Sequence, residues 1–198
     1  IDYLINACVM EQGFNSKELI MGDRNALIVA IRITGYGTEY DVNTRCKFCN
    51  AFHEEKVDLS NLAIKRLKLS PVKKNENLFE FELPVTKKKV IFKFLTATED
   101  RIKQQKIETL EKASSGPFVG DITINLEHAI VAIDGISDKN KIKHFIHHMP
   151  ALDAKKLRNF IRESEPGVEM KFNYKCKNCG NLNENINLPI NRNFFWPA

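Results

Sequence analysis

An α+β fold is the architecture this sequence predicts, and three observations predict it. Phe79-Glu80-Phe81-Glu82-Leu83 alternates aromatic and acidic residues with the two-residue period of a strand. Ile142, Phe145, Ile146 and Met149 recur at the spacing of one buried helix face. Cys46-Lys47-Phe48-Cys49 and Cys176-Lys177-Asn178-Cys179 each lie between two strand-like stretches. At 198 residues, 43% of them hydrophobic, the chain is long enough to bury a packed core.

The elements follow in order. A first helix is expected over residues 3–10, ending near Gly13. A second starts around Asp23, a good N-cap residue, and runs through Ala26, Leu27, Ile28, Ala30 and Ile31 until Gly35 and Gly37 stop it. Apolar side chains nearly encircle this helix, which predicts a central place in the core. Tyr40 and Val42 then alternate with polar neighbours and lead into Cys46. Further strands are expected over residues 56–59, 62–69, 78–83 and 90–95. Thr96 and Glu99 have the spacing of a capping box, so a mostly polar surface helix should run to about Lys112. Ser114-Ser115-Gly116-Pro117 reads as a flexible joint.

The second half is more helical. After the Ile142 stripe Pro150 interrupts, Asp153 is expected to cap the next helix, and Leu157, Phe160 and Ile161 give that helix a similar stripe. Pro166-Gly167 ends it. Val168, Met170, Phe172 and Tyr174 alternate as a strand toward Cys176, and Ile186, Leu188 and Ile190 mark its return. The expected divisions are residues 1–60 (helices and first knuckle), 61–117 (strands and a polar helix), 118–167 (helical) and 168–198 (second knuckle and aromatic ending), together one domain closed by a metal.

Two residues between thiolates let both sulfurs turn toward one ion while amides of the turn point at them. Two such knuckles supply four tetrahedral ligands, Cys46, Cys49, Cys176 and Cys179, for one structural zinc ion. The paired knuckles and their flanking strands favour zinc over an iron–sulfur cluster. The alternatives are two redox pairs, which usually sit at strand-to-helix junctions, or unligated buried thiols. Four sulfur ligands leave no position for water, so the site is expected to be structural. A typical ribbon has about 15–20 residues between knuckles, whereas here everything from Asn50 to Lys175 intervenes. The expected arrangement is therefore a two-knuckle zinc ribbon that brings both chain ends together, with strands and a helical hairpin in the inserted body. Cys8 reads as a small buried hydrophobe.

Other classes of function find less support. The formal charge is +5, and lysine groups are interspersed with acidic residues, the pattern of a solvated surface. Helices on either side of Pro150, with Lys155, Lys156, Arg158 and Arg162, have the form of a helix-turn-helix, so a zinc-ribbon nucleic-acid-binding regulator stands as the alternative function. His144 and His148 are spaced as metal ligands but lack the companion Glu of a metalloprotease helix. Gly35-Tyr36-Gly37 lacks the third glycine of a dinucleotide site. No P-loop, nucleophile elbow or acid/base pair is visible, and an enzyme is not expected. The longest apolar run, from Ala26 to Ile31, is too short to span a bilayer. With no signal peptide visible and four of five cysteines in Cys-x-x-Cys pairs, a soluble intracellular protein is expected. Phe194-Phe195-Trp196-Pro197 concentrates aromatic residues; Phe194, Phe195 and Trp196 either cap the core near the cysteines, anchor a partner, or do both.

These residues resemble the baseplate hub assembly proteins of T-even-like contractile-tailed bacteriophages. Met21-Gly22-Asp23-Arg24, the apolar helix and Gly35-Tyr36-Gly37-Thr38-Glu39-Tyr40 look like the family's opening into its first Cys-x-x-Cys. His128-Ala129-Ile130-Val131-Ala132-Ile133-Asp134-Gly135 looks like its middle strand and turn. The final knuckle, Leu188-Pro189-Ile190 and Phe194-Phe195-Trp196-Pro197 look like its ending. The match runs from about Ile20 to the end and is weaker over residues 62–117. The resemblance implies a non-enzymatic role in building the baseplate hub, as an assembly factor, a structural component or both. It implies phage hub proteins as partners, the host cytoplasm as the place of assembly, and the tail baseplate of the virion if the protein stays there.

Overall fold

The computed structural model describes residues 1–114 and 120–195, so Ser115-Gly116-Pro117 of the expected joint and Trp196 lie outside the described residues. In chain order the elements are α1 (Asp2–Cys8), α2 (Met21–Tyr36), β1 (Glu39–Arg45), β2 (Phe52–Asp58), β3 (Ile64–Lys65), β4 (Phe79–Glu82), β5 (Lys89–Phe92), α3 (Ala97–Ala113), α4 (Asp121–Ala129), β6 (Ile130–Ile133), α5 (Lys139–His148), α6 (Ala151–Ser164), β7 (Gly167–Val168), β8 (Lys171–Lys175), β9 (Leu182–Asn187) and α7 (Arg192–Phe195). Helices and strands mix as α+β, as the patterning predicts. The chain divides into two compact units, one of residues Ile1–Phe14, Gly22–Lys65 and Gly167–Ala198, the other of Asn15–Met21 and Arg66–Pro166.

The first unit holds three antiparallel strand pairs, β1–β2, β8–β9 and the short β3–β7. Tyr40 and Val42 on β1 and Val57 on β2 turn inward and pack with Ile5 of α1, Ile28 and Val29 of α2, Leu188, Phe194 and Phe195. On α2 only Ile28, Val29 and Arg32 are fully buried, so the helix is less enclosed than its composition suggests. Arg32 is 4% exposed and donates to the carbonyls of Gly37 at 3.1 Å and Glu39 at 2.9 Å, tying the end of α2 to the start of β1. Asp23, expected as an N-cap, sits inside the first turn instead. The helix stops as expected at Gly37, whose φ of +85° suits glycine and whose N–H bonds the Ile33 carbonyl at 2.9 Å. A second glycine is required by contact: a Cβ on Gly167 would lie 2.6 Å from the Gly22 Cα, so β7 passes the start of α2 backbone to backbone.

The strand expected over residues 62–69 shortens to β3, because its apolar residues are drawn to different cores. Leu62 packs in the first unit and Leu69 in the second, and the chain passes from one to the other after Lys65. Cys8 is exposed rather than buried, since Leu4, Ile5 and Val9 take the core side of α1.

The second unit is built on the sheet β4–β5–β6. Phe79 on β4 and Phe92 on β5 face each other in register and join Phe94, Val90, Leu126, Ile130, Ile133, Ile142, Ile146 and Leu157 in one core. Full burial of a side chain such as Phe92 stabilises by about 1.5–3 kcal/mol. The capping box forms as expected: the Thr96 hydroxyl accepts from Glu99 N at 3.3 Å, and Glu99 Oε2 accepts from Thr96 N at 3.1 Å. Helix α4, which no sequence pattern picked out, brings Ile124 and Leu126 to the core. Asp153 does not cap α6. It is fully buried and accepts from Val85 N at 2.8 Å, Thr86 N at 3.0 Å and the Thr86 hydroxyl at 2.8 Å, pinning the β4–β5 turn. A buried carboxylate is tolerable because three donors replace its water.

Candidate metal centre

The two cysteine knuckles are built alike. Strand β1 ends at Arg45, and Cys46 N then bonds the Ala51 carbonyl at 3.0 Å while Asn50 N bonds the Cys46 carbonyl at 2.9 Å. After β8, Cys176 N bonds the Asn181 carbonyl at 2.9 Å and Gly180 N bonds the Cys176 carbonyl at 2.9 Å. The residue after the second cysteine takes a left-handed conformation in each, Asn50 at φ +59° and Gly180 at φ +72°. Asparagine and glycine are the residues that accept it most readily.

The knuckles meet sulfur to sulfur. Cys46 Sγ lies 3.7 Å from Cys179 Sγ, Cys49 Sγ lies 3.6 Å from Cys176 Sγ, and all four sulfurs fall within 4.8 Å of one another. A tetrahedral zinc site with bonds of about 2.3 Å separates its sulfurs by about 3.8 Å, so the thiols are already spaced for one ion. A disulfide needs about 2.05 Å, and all five cysteines are free. Cys46 and Cys176 are buried, whereas Cys49 opens to solvent. Among the described residues, this is the one cluster of three or more His, Cys, Asp or Glu side chains placed to hold a metal.

The knuckles also brace each other. His53 and Asn183 each stand four residues beyond their knuckle's second cysteine, and each reaches the first cysteine of the opposite knuckle. His53 Nε2 lies 3.1 Å from Cys176 Sγ, and Asn183 Nδ2 donates to Cys46 Sγ at 3.4 Å. Asn183 is fully buried, and its Oδ1 accepts from Lys47 N at 2.9 Å, which fixes the amide's orientation. Further donors point at the other sulfurs: Asn178 Nδ2 to Cys49 at 3.6 Å and Asn181 Nδ2 to Cys179 at 3.5 Å. Phe48 N and Cys179 N each reach the first cysteine of their own knuckle at 3.4 Å. N–H donors around sulfur offset the negative charge that four thiolates bring to an ion.

Electrostatics separate the four thiols. Burial opposes ionisation of Cys46, but the amides of Cys49 and Phe48, with the Asn183 side chain and Cys176, outweigh it and bring it down to about 6. The Ala51 amide, then Asn178, pulls Cys49 down as well. Cys179 is the opposite case: the Asn181 amide lowers it, yet burial and the neighbouring thiols Cys176, Cys49 and Cys46 push it up to about 11. Like groups this close share protons, and a divalent ion that binds them displaces the ones they keep.

The remaining candidates are dispersed. Phe194 and Phe195 are 0% and 4% exposed in the core of the first unit, with the Phe194 ring 4.9 Å from Tyr40 and 5.1 Å from Phe195. Trp196 lies outside the described residues. His144 and His148 stack on each other at 4.3 Å, and His148 Nδ1 meets the His144 carbonyl at 2.8 Å. Lys155 and Lys156 are exposed, whereas Arg158 and Arg162 line a 350 Å³ cleft with Phe94, Leu95 and Leu126. No helix among the described residues is long and apolar enough to cross a membrane.

Sequence reasoning offered His53 only as a candidate extra ligand for the first cysteine pair; it missed the reach of His53 to the opposite knuckle, and it missed Asn183. A signal was present, because aligning the two knuckles on their cysteines places both polar residues at one offset on their return strands. No curated protein and no solved structure matches the chain. A family model described as T4 bacteriophage base plate protein matches residues 1–196, and the chain belongs to that family.

Proposed function

We propose that this protein is a non-enzymatic assembly factor or structural component of the phage tail baseplate hub. It acts through contacts with other hub proteins, and one structural zinc ion held by Cys46, Cys49, Cys176 and Cys179 clasps the ends of the chain as a two-knuckle ribbon. The observation that carries the reading is the convergence of four sulfurs from knuckles 127 to 133 residues apart, in a chain that the baseplate family spans almost end to end. Zinc suits an all-thiolate donor set, and its role there is to fold the chain; no open coordination position is needed. Trp196 adds an aromatic anchor toward a hub partner.

Affinity purification of the tagged chain from infected cells tests the reading. Recovery of hub proteins, with no DNA retention at low salt, is expected; salt-sensitive DNA retention without tail proteins would replace it with the nucleic-acid-binding alternative. Assembly is placed in the host cytoplasm and the finished site in the virion baseplate, so blotting of purified virions and of infected-cell lysates distinguishes a resident component from a transient factor.

A further inference from the structure

The 350 Å³ cleft of the second unit is lined by residues of α3, α4 and α6 and by the chain that leaves β5. Met21, Leu95 and Ile161 line it and are only half-buried, while Phe94 and Leu126 reach it from the core. One wall is held by Met21 N, which donates to the Leu95 carbonyl at 3.1 Å. The volume falls within the range of binding pockets, about 300–1,000 Å³. Apolar walls of this kind gain from an apolar side chain that displaces water from them.

The charged residues of the lining are not equivalent. Lys93 pairs with Glu99, and Lys103 pairs with Asp100. Arg162 donates to Asn159 Oδ1 at 3.2 Å, and Glu165 also has a partner. Arg158 alone among them has neither a hydrogen bond nor an ion pair within the described residues. Its Nε is shut off from water and unpaired, although the residue as a whole is only half-buried. A guanidinium that has already lost part of its hydration gains more from a carboxylate than an exposed one does. Its outer N–H groups form the planar fork that matches a carboxylate. One unpaired cation beside apolar walls fits one carboxylate on an apolar body. A nucleic-acid backbone draws on several unneutralised cations instead, and here Lys93 and Lys103 are already paired.

We infer that this cleft docks a segment of another baseplate protein in which a large apolar side chain stands beside an aspartate or glutamate. The apolar side chain enters against Met21, Leu95 and Ile161, and the carboxylate meets the outer N–H groups of Arg158. The inference rests on the baseplate reading above, which supplies the class of partner, while the chemistry of the cleft supplies the kind of segment.

The test uses the full-length, zinc-loaded chain and, as probes, the phage's other baseplate proteins, each added alone. One of them should bind, and Arg158→Met should weaken that complex by about 10- to 100-fold, the span expected for a hydrogen bond to a charged group. Because Arg158 has no partner to lose, zinc content and thermal stability should stay native in this variant. Arg158→Lys should restore only part of the affinity, since an ammonium lacks the fork. Hydrogen exchange on the partner locates the segment it protects. Changing the carboxylate of that segment to the amide should weaken binding to the native chain and leave binding to Arg158→Met unaltered. A baseplate protein that binds Arg158→Met as tightly as the native chain overturns docking in this cleft and leaves the proposed function standing. Arg158-dependent binding of a single-stranded oligonucleotide also overturns it, and binding by none of the baseplate proteins overturns both readings.

Discussion

The two units of this chain are held together by different means. The second is nearly continuous in sequence, and its aromatic core of Phe79, Phe92 and Phe94 forms from residues a short stretch apart. The first is assembled from three separate segments, and each of its sheets among the described residues has only two strands. Closing long loops costs chain entropy before any contact repays it, so a unit of distant segments benefits most from a point that fixes them together. The four-thiol cluster supplies such a point only in the first unit. The comparison teaches that metal dependence should be local, with one unit requiring the ion and the other indifferent to it.

The largest expected effect follows directly. Structural zinc contributes on the order of 10 kcal/mol to small metal-dependent folds, so a strong chelator should erase hydrogen-exchange protection in β1, β2, β8 and β9. Protection in β4, β5 and β6 should survive, and simultaneous loss in both units would break the contrast. The converse perturbation is next in size. Asp153→Ala leaves the donors of Val85 and Thr86 unsatisfied and should cost about 3 kcal/mol by chemical denaturation, with zinc content unchanged.

A smaller effect tests how the knuckles brace each other. Asn183→Ala and His53→Ala remove polar groups at Cys46 and Cys176, and each should lower zinc affinity by about 10- to 100-fold in competition with a chromogenic chelator. If neither changes affinity, the cross-bracing is incidental. The smallest effect belongs to the α3 cap, where Thr96→Ala should cost about 1 kcal/mol in the second unit alone. Burial opposes ionisation of Glu99, but bonds from Lys93 and Thr96 prevail and hold its carboxyl below the usual range. Its contribution is therefore complete above the ordinary glutamate value of about 4.3 and disappears as pH falls through the lower folded value. A pH titration of denaturation midpoints should show this acid-side loss reduced in a Glu99→Gln variant.

What was legible in the sequence was local. The Phe79–Leu83 alternation, the Thr96 and Glu99 cap, the Ile142 stripe and the glycine stop at Gly37 depend on neighbours a few residues away, and each forms as its pattern indicates. The two knuckles were legible for the same reason, and the expectation of one shared ion was what linked them across the insertion. Asp153 was misread because its i+3 setting after Pro150 resembles a cap, while its partners lie 67 and 68 residues away. Arg32 was invisible because a charge in an apolar helix gives no hint that carbonyls await it. The strand over residues 62–69 failed because alternation signals a sheet but not which of two cores each residue joins.

The central claim is that one ion clasps the four cysteines and holds the first unit together. Elemental analysis of the purified chain, before and after Cys176→Ser, tests it most directly. The account predicts about one zinc per chain in the native protein, and in the variant loss of that zinc with selective unfolding of the first unit. Absence of bound metal in protein purified without chelator, or a Cys176→Ser variant with native stability in that unit, would contradict it.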